Sequence, residues 1–250
     1  MTKIIRGKNI IKKNIKFNKD NIFSDNNQYY YKQIILKKNN FLNFDYLKSF
    51  TLYVLQINSN CELLINKKLI KLQEGDCIQI ENQKIKIDIL SGKLCLFVAG
   101  TKETNIKKKS IKKFHKKSLY KVEKPWGYEI WVNGRHKNYA FKKIYIKKGF
   151  KTSLQFHNFK CETNILYNGR AELTYKKNNR IHELDVKDKD LGFYKIKGIS
   201  SLSVKPKTLH RIKALSNITL FETSTPHLDD VIRVSDDAMR SSGLIKSEHK

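Results

Sequence analysis

Residues 1–114 contain no histidine. The first half of the chain therefore has no imidazole with which to hold a metal or move a proton near neutral pH. Cysteine is sparse too. Cys61, Cys77, Cys95 and Cys161 form no CxxC pair, which argues against a zinc knuckle or a dithiol redox motif. The first three sit in apolar, strand-like runs and read as buried thiols. Proline occurs three times, and no long amphipathic repeat of helical period is present, which argues against a helical bundle. No apolar run approaches the ~20 residues that a membrane helix needs. Met1-Thr-Lys-Ile-Ile-Arg is interrupted by charge at once, so the opening does not read as a secretory signal. The expectation is a cytoplasmic protein with no membrane partner.

Acidic residues are few: 23 Asp+Glu stand against 51 Lys+Arg, a formal net charge of +28. That excess raises nucleic-acid binding as a function class. The charge is nearly all lysine, however, and is spread along the chain beside abundant asparagine and isoleucine. Arginine, the residue preferred for bidentate phosphate and base recognition, is scarce. No specific nucleic-acid partner is expected, whereas a basic surface suits a small anionic substrate.

What the chain has in abundance is short, β-branched runs separated by turn residues. In the first half these include Ser49–Ile57, Cys77–Ile80 and Leu94–Val98; in the second, Phe141–Ile146, Asn164–Tyr167, His210–Ala214 and Ile218–Glu222. Such a series predicts an all-β barrel or sandwich. The halves share a layout: the Gly75-Asp76 turn of Leu72–Ile80 has its counterpart in Leu184–Tyr194, and Gly100-Thr101 closes one half much as Glu222-Thr223 closes the other. The resulting division is an N-terminal extension at 1–26, a barrel-like unit at 27–101 and a Lys-rich linker or surface strap at 102–120. A second barrel at 121–234 and a mobile tail at 235–250 complete it. With no histidine, the first unit reads as scaffold, homodimer surface or pocket wall.

The densest chemistry lies between Gly149 and Gly169. Gln155 and His157 are two apart, so on a strand they share a face. Glu162 follows a short polar stretch that would turn a hairpin and return it beside them. His210 lies in Val204–Ile212, a turn followed by a strand. An amide oxygen, a carboxylate and two imidazoles suit one divalent metal of intermediate softness. Each residue alone has an ordinary structural reading, but their spacing together favours a metal site. Lys143, grouped with Phe141 and Tyr145, is a candidate for phosphate contact or proton transfer, Arg233 a candidate phosphate clamp. Ser153, Trp126 and Tyr128 are candidate sugar contacts.

These residues carry a resemblance. Gly149-x5-Gln155-x-His157-x4-Glu162-x6-Gly169 resembles the first cupin motif, with Gln155 where many cupins place a histidine. Val204–Ile212 resembles the second motif. The string Ser153-Leu-Gln-Phe-His157 is similar to that of the type II mannose-6-phosphate isomerases, including the isomerase domain fused to mannose-1-phosphate guanylyltransferases. Lys124-Pro-Trp-Gly-Tyr-Glu129 and Glu222–Arg233 resemble the opening and closing segments of that domain. The likeness spans about residues 121–240, whereas 27–101 resembles only a degenerate cupin. It implies a bicupin of two double-stranded β-helix (jelly-roll) barrels. It also implies metal binding by Gln155, His157, Glu162 and His210, and aldose–ketose isomerisation of a sugar phosphate. Zinc is the expected ion, with manganese, iron, cobalt or nickel as alternatives. The family's further histidines are replaced here by Asn158, Phe159 and Thr163, and its closing Tyr-Gly-Arg by Ala238-Met-Arg240. The rival readings are a non-catalytic carbohydrate-binding module and an iron-dependent cupin oxygenase.

Overall fold

The computed structural model describes residues 11–12, 20–44, 47–57, 62–103, 107–134, 136–176 and 191–248. Cys61 and residues 184–190 of the second-half turn lie outside them. β1 (Ile11–Lys12) joins the second barrel; the strands of the first are β2 (Asn21–Asp25), β3 (Tyr30–Lys37), β4 (Phe41–Asn43), β5 (Ser49–Ile57), β6 (Glu62–Ile65), β7 (Lys68–Ile70), β8 (Cys77–Glu81), β9 (Lys86–Ser91), β10 (Lys93–Thr101) and β11 (Ser110–Phe114). The second barrel comprises β12 (Tyr120–Lys124), β13 (Gly127–Asn133), β14 (Ala140–Ile146), β15 (Leu154–Phe156), β16 (Glu162–Asn168), β17 (Arg170–Lys176), β18 (Gly192–Lys197), β19 (Ser200–Val204), β20 (Leu209–Ala214), β21 (Ile218–Ser224) and β22 (Ile232–Ser235). No helix among the described residues is long and apolar enough to cross a membrane.

Each barrel is two antiparallel sheets face to face. The first pairs the sheet β11-β8-β5-β10-β3-β2 with β4-β9-β6-β7; the second pairs β1-β19-β16-β21-β14-β13-β12 with β18-β17-β20-β15-β22. Alternation along the strands fills the first barrel with Ile34, Phe50, Leu52, Ile78, Ile80, Ile87, Leu96 and Val98, an apolar interior throughout. The second barrel is apolar in one half only, around Ile146, Leu166, Leu173, Ile212 and Leu220. The other half is polar, and that is where the site lies.

The barrels join through their outward faces. Tyr31, Tyr53 and Phe97 from the first meet Phe141 and Phe221 from the second in one buried aromatic cluster. Its rings lie 4.8 Å (Phe97–Phe221), 5.3 Å (Tyr53–Phe221) and 5.8 Å (Tyr31–Phe141) apart, tilted as ring quadrupoles favour. Tyr29 Oη and Thr163 Oγ1, 2.9 Å apart, add a buried hydrogen bond between the barrels.

Three segments outside the expected barrel bounds are built into the structure. The extension contributes β2 to the first barrel and β1 to the edge of the second, pairing Ile11 with Leu202. The Lys-rich segment is a strap: β11 pairs with β8, Phe114 opposite Cys77. The expected mobile tail folds back over the second barrel. Gly243 N–H donates to the Val231 carbonyl at 2.8 Å, and Arg240 forms ion pairs with Asp236 and Glu248.

Candidate metal centre

Strand period places the site. On β14, Phe141 enters the aromatic cluster between the barrels, so Lys142 and Ile144 face the second barrel's interior. Across the seven-stranded sheet, register sets Trp131 beside Lys142, Lys142 beside Glu222, and Glu222 beside Asn164. Glu162, two before Asn164, shares that face. From the opposite sheet Gln155 pairs with His210, with Ser153 and His157 in phase with Gln155. Leu154 and Phe156 pack outward against Leu209 and Ile232. The residues enclose a cavity of about 110 Å³.

Among the described residues, the acidic, histidine and cysteine side chains close enough to share one ion are His157, Glu162 and His210, whose ligand atoms lie within 4.8 Å of one another. His157 Nδ1 donates to the Asp230 carbonyl and His210 Nδ1 to the Thr208 carbonyl (3.0 Å). Both Nε2 atoms are thereby turned toward Glu162, at 3.6 Å from His157 and 3.2 Å from His210. His157 Nε2 is buried without a partner. An orphaned imidazole nitrogen, a second imidazole oriented by a backbone carbonyl and a carboxylate form a donor set that fits a divalent ion. The amide of Gln155, held by Ser153 Oγ at 2.5 Å, can supply a fourth donor.

The electrostatics agree. Burial, reinforced by the Lys160 charge, pushes His157 down to about 3 and keeps it neutral, although Glu162 acts against this. Burial also disfavours charge on His210, but the carboxylate of Glu162 and the Thr208 carbonyl outweigh it and raise its pKa. Glu162 titrates well below the usual carboxylate range, because Lys160 and His210 overcome the effect of burial. Lys160 Nζ bridges Glu162 (2.6 Å) and Glu222 (2.8 Å). One ammonium against two carboxylates leaves a net −1 beside the imidazoles, favourable for a cation.

The sequence expectations divide. Gln155, His157, Glu162 and His210 come together, with Ser153, Trp126 and Arg233 on the same cavity. Lys143 does not: it is carried outward with Phe141 and Tyr145, to a cleft between the barrels lined also by Tyr53, Lys116 and Tyr167. Its neighbour Lys142 takes the inward place. Tyr128 also points away, stacked on Tyr145 at 5.0 Å with Lys121 Nζ 4.4 Å from its ring centroid. Trp126 differs because it lies in the turn before β13 and is buried against Ile144, lining the cavity. Gly127 makes this turn feasible: its φ is +152°, and a Cβ there would meet the Tyr145 carbonyl oxygen at 2.0 Å. Glu162 arrives by crossing from one sheet to the other, not by a hairpin. Asp230 caps that crossing, accepting from the backbone N–H groups of Asn158 (3.0 Å), Phe159 (2.6 Å) and Lys160 (3.0 Å). Arg233 is not paired with Asp229 or Asp230; its guanidinium donates to the Ser241 and Gly243 carbonyls.

Lys142, Lys160, Glu222, Glu129 and Asp230 were not singled out from the sequence. Glu129 accepts from Trp131 Nε1 (2.9 Å) and Lys142 Nζ (3.2 Å). Burial alone would raise its pKa, but Lys142, Lys124 and these bonds bring it down to about 2. A depressed folded-state pKa stabilises above the unfolded value of 4.5, and that contribution declines as pH falls from 4.5 toward 2. Glu129→Gln should therefore flatten the acid limb of a stability–pH curve in that window, measured by urea denaturation. An unchanged limb would assign the acid sensitivity elsewhere.

The family model described as mannose-6-phosphate isomerase C-terminal matches residues 107–236, just over half of the 250 residues. No curated protein matches the chain in sequence. Similar solved structures include GK1651 from Geobacillus kaustophilus (TM-score 0.61, 9% identity, 91% of this chain and 96% of that one). Bacillus subtilis oxalate decarboxylase, a protein with Mn(II) centres, aligns at TM-score 0.56 and 11% identity over 85% of this chain and 78% of its own. Vicilin from tomato aligns at TM-score 0.55 and 11% identity, covering 80% and 75%. At such identities the likeness establishes the two-barrel fold alone.

Proposed function

Because the chain belongs to the mannose-6-phosphate isomerase C-terminal family, we propose that it is a metal-dependent isomerase interconverting an aldose phosphate and a ketose phosphate. The carrying observation is the pair of imidazole Nε2 atoms converging on Glu162 in a cavity that is also lined by Lys124, Lys142, Lys160, Arg233 and Arg240. Donors for a metal and cations for an anionic substrate thus share one enclosed space. Gln155, His157, Glu162 and His210 would hold a divalent ion, zinc in this reading, which would supply Lewis acidity toward a sugar carbonyl and its neighbouring hydroxyl.

The protein's own groups do the rest. Isomerisation takes a proton from the carbon beside the carbonyl and returns one to the adjacent carbon. Glu222, buried with Lys160 as its ammonium partner, is the cavity carboxylate suited to hold that proton. Lys142, fixed by Glu129 and lying 4.7 Å from the Trp131 ring centroid, places positive charge where enediolate charge develops. Trp126, buried in the cavity lining, offers the sugar an aromatic wall.

The test is metal-loaded protein with a panel of aldose and ketose phosphates in D2O, followed by NMR. Interconversion with solvent deuterium at C1 or C2 of the product is expected. Glu222→Gln should lower turnover by about 10²–10⁴-fold, the usual weight of a general acid–base. Lys143→Ala should stay within about twofold, as for a substitution remote from the site. No conversion of any member would overturn the reading. Binding without turnover would favour a carbohydrate-binding module, and oxygen consumption with iron an oxygenase.

A further inference from the structure

We propose that Lys124 and Arg240 form the anion subsite of this cavity and that Glu248 is its internal occupant, a carboxylate that the phosphate of the substrate displaces. The proposal rests on the sugar-phosphate reading for the substrate's identity; its geometry stands independently. Lys124 Nζ lies 2.7 Å from Glu248 Oε2, and Arg240 Nη1 lies 3.2 Å from Glu248 Oε1. The three side chains retain only 9%, 9% and 12% of their exposure. All three line the same cavity as the metal centre.

Arg240 is anchored without Glu248, and the Lys124 backbone is held by strand pairing with Gly127. Arg240 is gripped by Asp236, with Nε at 2.8 Å from Oδ2 and Nη2 at 2.8 Å from Oδ1, which leaves Nη1 free to face the cavity. Lys124 is fixed at the end of β12, within Coulombic reach of Glu129. Arg233 adds a third cation: its Nε is buried with no partner, a donor lacking an acceptor oxygen. When Glu248 leaves, Lys124, Lys142, Arg233 and Arg240 face Glu129 and Asp236, a local excess of two positive charges. A phosphate brings several acceptor oxygens and up to two charges to a lysine and an arginine edge, and suits them better than one carboxylate.

The segment bearing Glu248 is built to come away. Residues 236–243 are tied down by the Asp236–Arg240 fork, by the Arg233 bonds to Ser241, Ser242 and Gly243, and by Gly243 N–H to Val231. Beyond Gly243, whose φ of +81° favours glycine, Leu244 is 43% exposed and a single 3-10 turn carries Glu248 back. The cavity under it measures about 110 Å³, against ~300–1,000 Å³ for usual small-molecule sites. A sugar phosphate needs that turn to lift, and displacing Glu248 removes the ion pairs holding it down.

Calorimetric titration of the full chain with inorganic phosphate tests this. Glu248→Gln should bind phosphate about tenfold more tightly than wild type, and adding Lys124→Met should abolish the gain. A Glu248→Gln affinity within twofold of wild type, or a gain that survives Lys124→Met, would overturn the proposal. In case Lys124→Met misfolds, hydrogen–deuterium exchange on wild type gives a second readout. Saturating phosphate should raise exchange at residues 244–248 while the barrel strands stay protected; unchanged or slower exchange there would overturn it. Failure of sugar turnover leaves both phosphate measurements interpretable, so the two readings fail separately.

Discussion

Replacing His157 and His210 together by alanine is expected to reduce bound divalent metal from one equivalent per chain to none and to abolish any turnover. The two imidazoles supply two of three close-set donors, and their Nδ1 atoms are already committed to the Asp230 and Thr208 carbonyls. Among the described residues, the close-set donors that remain are the Glu162 carboxylate and the Gln155 amide, with Glu222 already held by Lys160. Stability should follow the metal. An ion bound only to the native state adds RT ln(1 + [L]/Kd), about 2.7 kcal/mol at a hundredfold excess over Kd. Wild type should therefore lose several degrees of Tm on chelation, while the double variant should be insensitive to chelator. Elemental analysis of both proteins, purified without added metal, decides the matter. Equal metal content in the two would place the ion elsewhere.

The candidate donors could be singled out in the sequence because their spacing obeys strand geometry. Gln155 and His157 share a face on any extended strand, and Ser153 follows by the same period. The same rule grouped Lys143 with Phe141 and Tyr145 but could not say which face was inward. That choice was made by Phe141, whose ring is buried between the barrels rather than within one. Sequence periodicity registers two faces; it does not distinguish a barrel interior from an interface with a neighbouring barrel. Lys142, Lys160 and Lys124 were obscured for a different reason. In a chain so rich in lysine, a buried lysine has no local signature, and its burial depends on acids such as Glu129, Glu222 and Glu248 that lie far away in sequence. The fold-back of 235–248 was hidden similarly, since its anchors, Asp236–Arg240 and Glu248–Lys124, are charged pairs that read as a solvated tail.

Lys160→Met should be the most destabilising single change at the site. Lys160 is 5% exposed and its ammonium is the shared partner of Glu162 and Glu222. Methionine keeps most of the volume, so the effect isolates charge. Two buried carboxylates would lose their shared ammonium, leaving Glu162 with the His210 imidazole, and breaking a buried pair from one side costs about 3–5 kcal/mol. For a chain of this size that corresponds to a fall in Tm of roughly 10 °C. Two further measurements tie the loss to the carboxylates. Lys160→Met with Glu222→Gln removes one charge of each sign, so urea denaturation should show much of the stability restored. Saturating divalent metal should also restore part of it, because an ion at Glu162 compensates the charge that Lys160 leaves behind. A single variant within about 1 kcal/mol of wild type would contradict this account, since ordinary surface substitutions fall in that range. So would a double variant less stable than the single one. If both rescues occur, Lys160 and the metal are alternative partners of one carboxylate, and the ammonium holds the apo site together until the ion arrives.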